Sequence, residues 1–390
     1  MVTLAVVAAI LLGSREPPGE TVRMGPTVPS RPERLNEIAR DRGGLPPGPA
    51  TVDRDLIVPG GPPPDGIPPI DDSTFEAPGD VRWLAGREPV LAVEVGHEAR
   101  AYPIRILMWH EIVNDSIGGR PVTVTYCPLC NTGVAFLRPT IGGELLDFGT
   151  SGRLFRSNLV MYDRQTGTFW SQAPLEAIVG PLAGRRLEPI PAQIVSWRDW
   201  RAAHPEGRVL SQDTGFDRPY GQNPYQGYDS PGSDPYLYLG EPDPRLQATA
   251  HVLGVDVSGR RVAFPYPVLA RRAIGGWAAV QTRVGGRDIA VLWKRGTASA
   301  LDQPVIASSQ DVGSATAYEP RVDGRLLHLR ATPRGIVDRE TGSRWDLFGR
   351  AVAGPLRGSR LRPLPAVDHL WFSWAAFYPD TRIYGRQQGP

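Results

Sequence analysis

A β-rich α+β protein of two related lobes, with mostly antiparallel strands and short helices, is the fold class that this sequence predicts. Three observations predict it. Short apolar, β-branched runs recur between glycines from residue 81 onward, as in Val90-Leu91-Ala92-Val93-Glu94-Val95. With 44 glycines and 41 prolines, few stretches can carry a long helix. Motifs of the first half return in the second at a steady offset of about 175 residues, the mark of an internal duplication. A chain of 390 residues is also long for one core, since domains cluster at roughly 100–200 residues.

Taken in order, residues 2–12 are apolar and of signal-peptide core length, too short to span a bilayer, which needs about 20 residues. Although no basic residue precedes them, the small pair Gly13-Ser14 closes the run, so residues 1–13 are read as a signal peptide or anchor remnant. Export, with the N-terminus near a membrane, is the expectation. Residues 14–80 form a Pro/Gly-rich leader with one short helical candidate at 31–42. Its proline run, 59–69, fits neither an interior strand nor a helix and should run extended across the surface. Residues 81–210 make the first lobe, in which Pro103 opens a short helix through Met108 that delivers the chain to His110. Residues 211–245, rich in Tyr, Gly and Pro, carry neither helix nor strand period and are read as a linker or as a loop covering part of a site. Residues 246–390 are the second, degenerate lobe.

The repeat is specific. Residues 162–170, with Asp163-Arg164-Gln165-Thr166-Gly167, return as 337–345, with Asp338-Arg339-Glu340-Thr341-Gly342. Gly180-Pro181-Leu182 returns as Gly354-Pro355-Leu356, and Trp200 to Pro205 as Trp374 to Pro379, so each lobe should close with a short aromatic helix. What both copies share, folding explains; Asp163-Arg164 and Asp338-Arg339 are read as a shared structural ion pair. What one copy holds alone needs another reason.

Both cysteines lie in the first copy. Gly118-Gly119 between β-branched runs predicts a two-residue hairpin turn. Its register sets Ile117 against Arg120, Val113 against Val124 and, by continuation, His110 against Cys127. Asn114, Thr123 and Thr125 would share the His110 face and line a polar cleft. Glu111, on the opposite face, is read as structural or as support for the ligands. In the second copy, Gly285-Gly286-Arg287 is the matching turn, which puts the only lysine, Lys294, at the Cys127 position and Thr297 at the Cys130 position. The second lobe is therefore read as a scaffold.

The first functional reading is a transition-metal site, copper slightly preferred to zinc, held by His110, Cys127 and Cys130, with Met161 as a soft fourth ligand and Met108 behind it. Cys-x-x-Cys suits one ion, and three ligands leave the open position associated with catalytic zinc or with copper. Such a protein would serve redox, metal handling or metal-assisted chemistry. Two other readings stand beside it: a thiol–disulfide redox pair, although no helix pattern follows Cys130, and a static pair in a non-catalytic binding module. His97, His204, His251, His328 and His369 occur singly and are read as bystanders. A formal charge of +2 without a basic run gives no reason to propose nucleic acid, and no phosphate loop, nucleophile elbow or His-Glu-x-x-His motif is present.

Trp109-His110-Glu111-Ile112-Val113-Asn114-Asp115, Thr125-Tyr126-Cys127-Pro128-Leu129-Cys130, the segment from Ser157 to Gly167 and Gly180-Pro181-Leu182 closely resemble the prokaryotic family known as domain of unknown function 3179, over about Asp65 to Tyr384. The resemblance implies membership and an extracytoplasmic setting; it brings no activity with it. Family members often place Gly after the second cysteine, where this chain has Asn131, and both residues accept positive φ.

Overall fold

The computed structural model describes residues 44–386. The expected signal peptide at 1–13, the helical candidate at 31–42 and the start of the leader lie outside them. The described chain is β-rich, with four α-helices: α1 (Ile104–His110), α2 (Trp197–Ala203), α3 (Tyr266–Arg271) and α4 (Trp371–Phe377). None is long and apolar enough to cross a membrane.

Four strands of one sheet in the first half have the same order as a four-stranded sheet in the second. In the first half, Ala192–Ser196, Pro89–Val95, Glu98–Pro103 and Arg208–Leu210 lie side by side; in the second, Ala366–Leu370, His251–Val257, Arg260–Pro265 and Arg382–Ile383 do the same. In each set only the last strand runs parallel to its neighbour. The glycine hairpins form in the expected register, Ile117 against Arg120 and Val284 against Arg287. Helices α2 and α4 are the two short aromatic helices.

The halves do not keep separate cores. Trp197 and Trp200 of the first half pack in one cluster with Leu292, Leu329 and Trp345 of the second. The cluster around the cysteines likewise takes in Leu301, Leu370 and Phe372.

Two expectations are corrected here. The Asp163-Arg164 motif is not an ion pair. Fully buried Asp163 accepts from Thr166 N (2.6 Å), Thr166 Oγ1 and the Trp170 indole (2.8 Å), and Asp338 accepts from Thr341 and Trp345 in the same way. Arg164 reaches across instead to Asp65 and Asp71. A carboxylate that ties down its own turn and an indole needs no neighbouring cation. The proline-rich wrap, in turn, does not lie wholly at the surface: within it Pro62, Ile67 and Pro69 are buried. Ile57–Pro59 pairs with the strand Phe148–Phe155, Phe75–Glu76 with Arg208–Leu210, and Val58 and Ile70 are buried. Proline forbids interior pairing but tolerates an edge, which is where Pro59 lies.

Candidate functional site

Cys127 ends the strand Arg120–Cys127 and pairs with Thr132 at the start of Thr132–Leu137. Four residues close this hairpin. Pro128 opens a single 3-10 turn through Cys130, and Asn131 takes the left-handed conformation at φ 50°, so the chain folds back and brings the second sulfur to the first. Both cysteines are free thiols, 1% and 0% exposed.

The expected partner is elsewhere. Helix α1 runs two residues further than predicted, through Trp109 and His110, and Glu111 stops it at φ 59°, ψ −30°. Strand pairing therefore begins only at Ile112 against Thr125, and His110 leaves from a helix rather than from the strand position opposite Cys127. Its Nδ1 donates to the Pro68 carbonyl (2.7 Å) and its Nε2 accepts from the Tyr220 hydroxyl (2.5 Å). Both ring nitrogens are thus engaged, and burial holds the ring neutral, its pKa lowered to about 4. Met161 is fully buried in the main cluster, between Thr150 and Trp170 of the adjacent strands. Among the described residues no group of three or more His, Cys, Asp or Glu side chains is placed to hold a metal ion, so the three expected ligands are not brought together. Lys294, at the position matching Cys127, pairs with Asp199 and lies over the Trp277 ring.

What surrounds the sulfurs comes from three parts of the chain. Asn158 donates one amide hydrogen to Cys130 Sγ at 3.0 Å and the other to Gln172 Oε1 at 2.8 Å, while its Oδ1 accepts from Ala173 N. That set of partners allows the amide one orientation. Gln172 is itself pinned to Thr125 Oγ1 and the Thr132 carbonyl. The Thr132 hydroxyl donates to the Cys130 carbonyl and accepts from Nδ1 of His369 at 2.8 Å. The Ser373 hydroxyl of α4 is buried without a hydrogen-bond partner. Asn131 is held between the Tyr126 hydroxyl (2.9 Å) and Nδ1 of His251 (3.3 Å), whose Nε2 donates to Asp229 at 2.7 Å.

His251, His369, Ser373, Asp229 and Asn158 were all missed or dismissed from the sequence. They reach the site through tertiary packing. The second half is not a mere scaffold, since it lends two histidines and a serine. Tyr225 and Tyr228 of the 211–245 segment are buried in the same cluster as the cysteines, and the segment is laced to residues 299–304 through Asp229, Tyr228, Gly227 and Asn223.

Electrostatics separates the two sulfurs. Burial opposes a thiolate at Cys130, but the neighbouring Cys127 and the Asn158 amide help to outweigh it and hold its pKa below the ordinary thiol value. Burial, the Cys130 neighbour and Glu111 push Cys127 well above that value, so it keeps its proton. Beside them, burial first and the Cys130 charge second raise Glu111 to about 8. Its positive φ costs on the order of 1–3 kcal/mol for a residue with a β-carbon.

Buried neutral histidines have a measurable consequence. His110 and His204 are lowered to about 4 and His369 to about 3, so below about pH 6.5 the unfolded chain binds protons that the folded one refuses, and stability falls. Glu111, raised to about 8, and Asp368, raised to about 6, work the other way, since their protonated forms favour the fold as pH drops. Burial also raises Glu88 and Asp346, while Asp229, Asp243 and Glu340 are lowered and act with the histidines. Urea midpoints should therefore decline from pH 6.5 to 4.5, by roughly 1–2 kcal/mol per pH unit; a flat or rising midpoint contradicts this balance.

Over residues 64–381 the chain matches the family described as a protein of unknown function (DUF3179). The chain belongs to this family. No curated protein and no solved structure matches it. The matched span of this DUF3179 member contains both cysteines, Asn158, Asp229, His251 and His369, that is, every side chain assembled around the sulfurs.

Proposed function

We propose that this DUF3179 chain is a thiol–disulfide redox protein whose Cys127–Cys130 pair exchanges two electrons with small disulfides and thiols. One observation carries the reading: a fully buried sulfur, Cys130 Sγ, receives an amide hydrogen from Asn158, whose orientation is locked by two further hydrogen bonds. A site built around a charged sulfur is built for a nucleophile. A static pair needs no such donors. The metal reading loses its imidazole to Pro68 and Tyr220.

The reaction balances as an exchange. The Cys130 thiolate attacks an acceptor disulfide; a Cys130–acceptor S–S bond forms, the acceptor's own S–S bond breaks, and one thiolate leaves. Cys127, on losing its proton, attacks the Cys130 sulfur, closes the internal disulfide and releases the second thiolate. The protein loses two electrons and the acceptor gains two. Burial under Tyr225 and Tyr228 favours a small acceptor over the surface of a folded partner. Outside the cytoplasm, where the apolar residues 2–12 lead us to expect the protein, a close dithiol meets oxidising partners.

The test is a redox titration of the purified chain, read by mass spectrometry after acid quench and alkylation. The expected result is reversible closure of a Cys127–Cys130 disulfide that Cys130→Ser cannot form. Cysteines that stay reduced at every potential, together with stoichiometric copper or zinc that Cys127→Ser loses, would replace this reading with the metal site.

A further inference from the structure

A cleft of about 600 Å³ opens in the second half where α4 ends. Four arginines line it, Arg260, Arg261, Arg283 and Arg382, against one carboxylate, Asp380. We infer that this cleft is an anion site that takes a phosphate group. The inference goes beyond the cysteine chemistry and does not depend on it.

The positive charge in the lining is incompletely answered. Arg261 is settled, paired with Asp256 at 2.7 Å and laid over the Tyr378 ring at 4.3 Å. Arg283 shares its partner, since Asp288 lies 3.3 Å from it and 3.0 Å from Arg321. Arg382 donates to the Arg283 carbonyl at 3.4 Å and, among the described residues, pairs with no carboxylate. Arg260 is exposed, and among the described residues it has neither an ion pair nor a side-chain hydrogen bond. Like charges gathered around one cleft repel one another, so folding alone gives no reason to collect them. Arginine rather than lysine carries no message in a chain with one lysine; the convergence of four does.

The first half supplies a comparison on the same arrangement of strands and turns. In both halves two hairpin turns touch: a Cβ on Gly285 would lie 2.9 Å from the Val257 carbonyl oxygen, and one on Gly118 would lie 3.4 Å from that of Val95. By strand register, Arg260 stands opposite Val257 as Glu98 stands opposite Val95. Arg261 then takes the place of Ala99, and counting back from the glycine turns sets Arg283 at the place of Ser116. Arg382 pairs with Val262 as Arg208 pairs with Arg100, which sets Asp380 at the place of Glu206. Where the second half gathers four arginines and one aspartate, the first therefore has one arginine and two glutamates. The backbone does not demand the positive set.

A guanidinium offers parallel N–H donors to two oxygens of a phosphate and stays charged at every physiological pH. A phosphate monoester brings close to two negative charges on one group, enough to answer Arg260 and Arg382 together. The volume lies within the range of small-molecule sites, about 300–1,000 Å³, so room remains for the organic part of an ester. A soluble phosphate ester and the headgroup of an anionic phospholipid present this same chemistry.

The experiment has two arms, both on the full chain at low salt, where charge attraction is least screened. Calorimetry with inorganic pyrophosphate probes a soluble ligand; co-flotation with phosphatidylglycerol vesicles, against phosphatidylcholine alone, probes a headgroup. The expected result is saturable binding in at least one arm that Arg260→Ala and Arg382→Ala each weaken by about 5- to 10-fold. Arg120→Ala, at an exposed arginine of the first-half hairpin, and Cys130→Ser should bind as the wild type does. Pyrophosphate binding without flotation assigns the site to soluble phosphate esters, and flotation without pyrophosphate binding assigns it to a lipid headgroup. No binding in either arm overturns the inference. So does binding that Arg120→Ala weakens as much as Arg260→Ala, which is unspecific attraction. Should Arg382→Ala not fold, Arg260→Glu decides, and wild-type affinity in that variant overturns the site.

Discussion

In an Asn158→Leu variant, the pKa of the Cys130 thiol will rise, and the fold will weaken at the same time. Leucine fills nearly the same volume but donates nothing. The Cys130 sulfur then loses its one rigid donor, and burial, which opposes charge, is less fully offset. Ala173 N and Gln172 Oε1 lose their partners as well. Buried groups left unpaired cost about 1–3 kcal/mol each, so a loss of roughly 2–5 kcal/mol is expected in urea unfolding. The thiolate absorbance at 240 nm should move to higher pH. A titration curve that coincides with wild type would mean that Asn158 is only a structural residue.

Gly152→Ala, in the strand on which the proline-rich wrap seats, should be strongly destabilising. Gly152 has φ +70°, and a Cβ built there would lie 1.9 Å from the Pro62 carbonyl oxygen, a backbone atom that cannot rotate away. The wrap seats on this strand through Gly60 N to the Gly152 carbonyl (2.7 Å) and Asp65 N to the Thr150 carbonyl (2.8 Å). Displacing it also moves Pro68 off His110 and Ile70 off Ile112. We expect about 3 kcal/mol or more of lost stability, beyond the cost of the φ angle alone. Gly143→Ala supplies the comparison, since it has φ +91° and nothing within 4 Å of the added atom; it should cost only about 1 kcal/mol. Equal losses in the two variants would show that the wrap yields to the added methyl.

Much of the local structure was legible because its causes are local. Gly118-Gly119 dictates a two-residue turn, and the register of everything down to Ile112 and Thr125 follows by counting. Asn131 could be expected at positive φ because the hairpin must close within four residues. Counting failed at His110 for an equally local reason that sequence does not display: α1 holds on for two more residues and Glu111 turns the chain through a conformation seldom used by its residue type. One such residue moved the imidazole from a strand to a helix end.

By itself the sequence determined the β-rich class, the glycine hairpins with their registers down to Ile112 and Thr125, and the short aromatic helices. Tertiary structure alone decided what meets the two cysteines. Asn158, Asp229, His251, His369 and Ser373 lie between 28 and 243 residues from Cys130 along the chain, and nothing in their flanking residues sets them apart. The reason is physical. Turns and strand registers follow from steric limits acting between near neighbours, whereas a hydrogen bond between distant side chains depends on how whole sheets pack, and packing is settled by the summed burial of many apolar residues rather than by the polar groups it brings together.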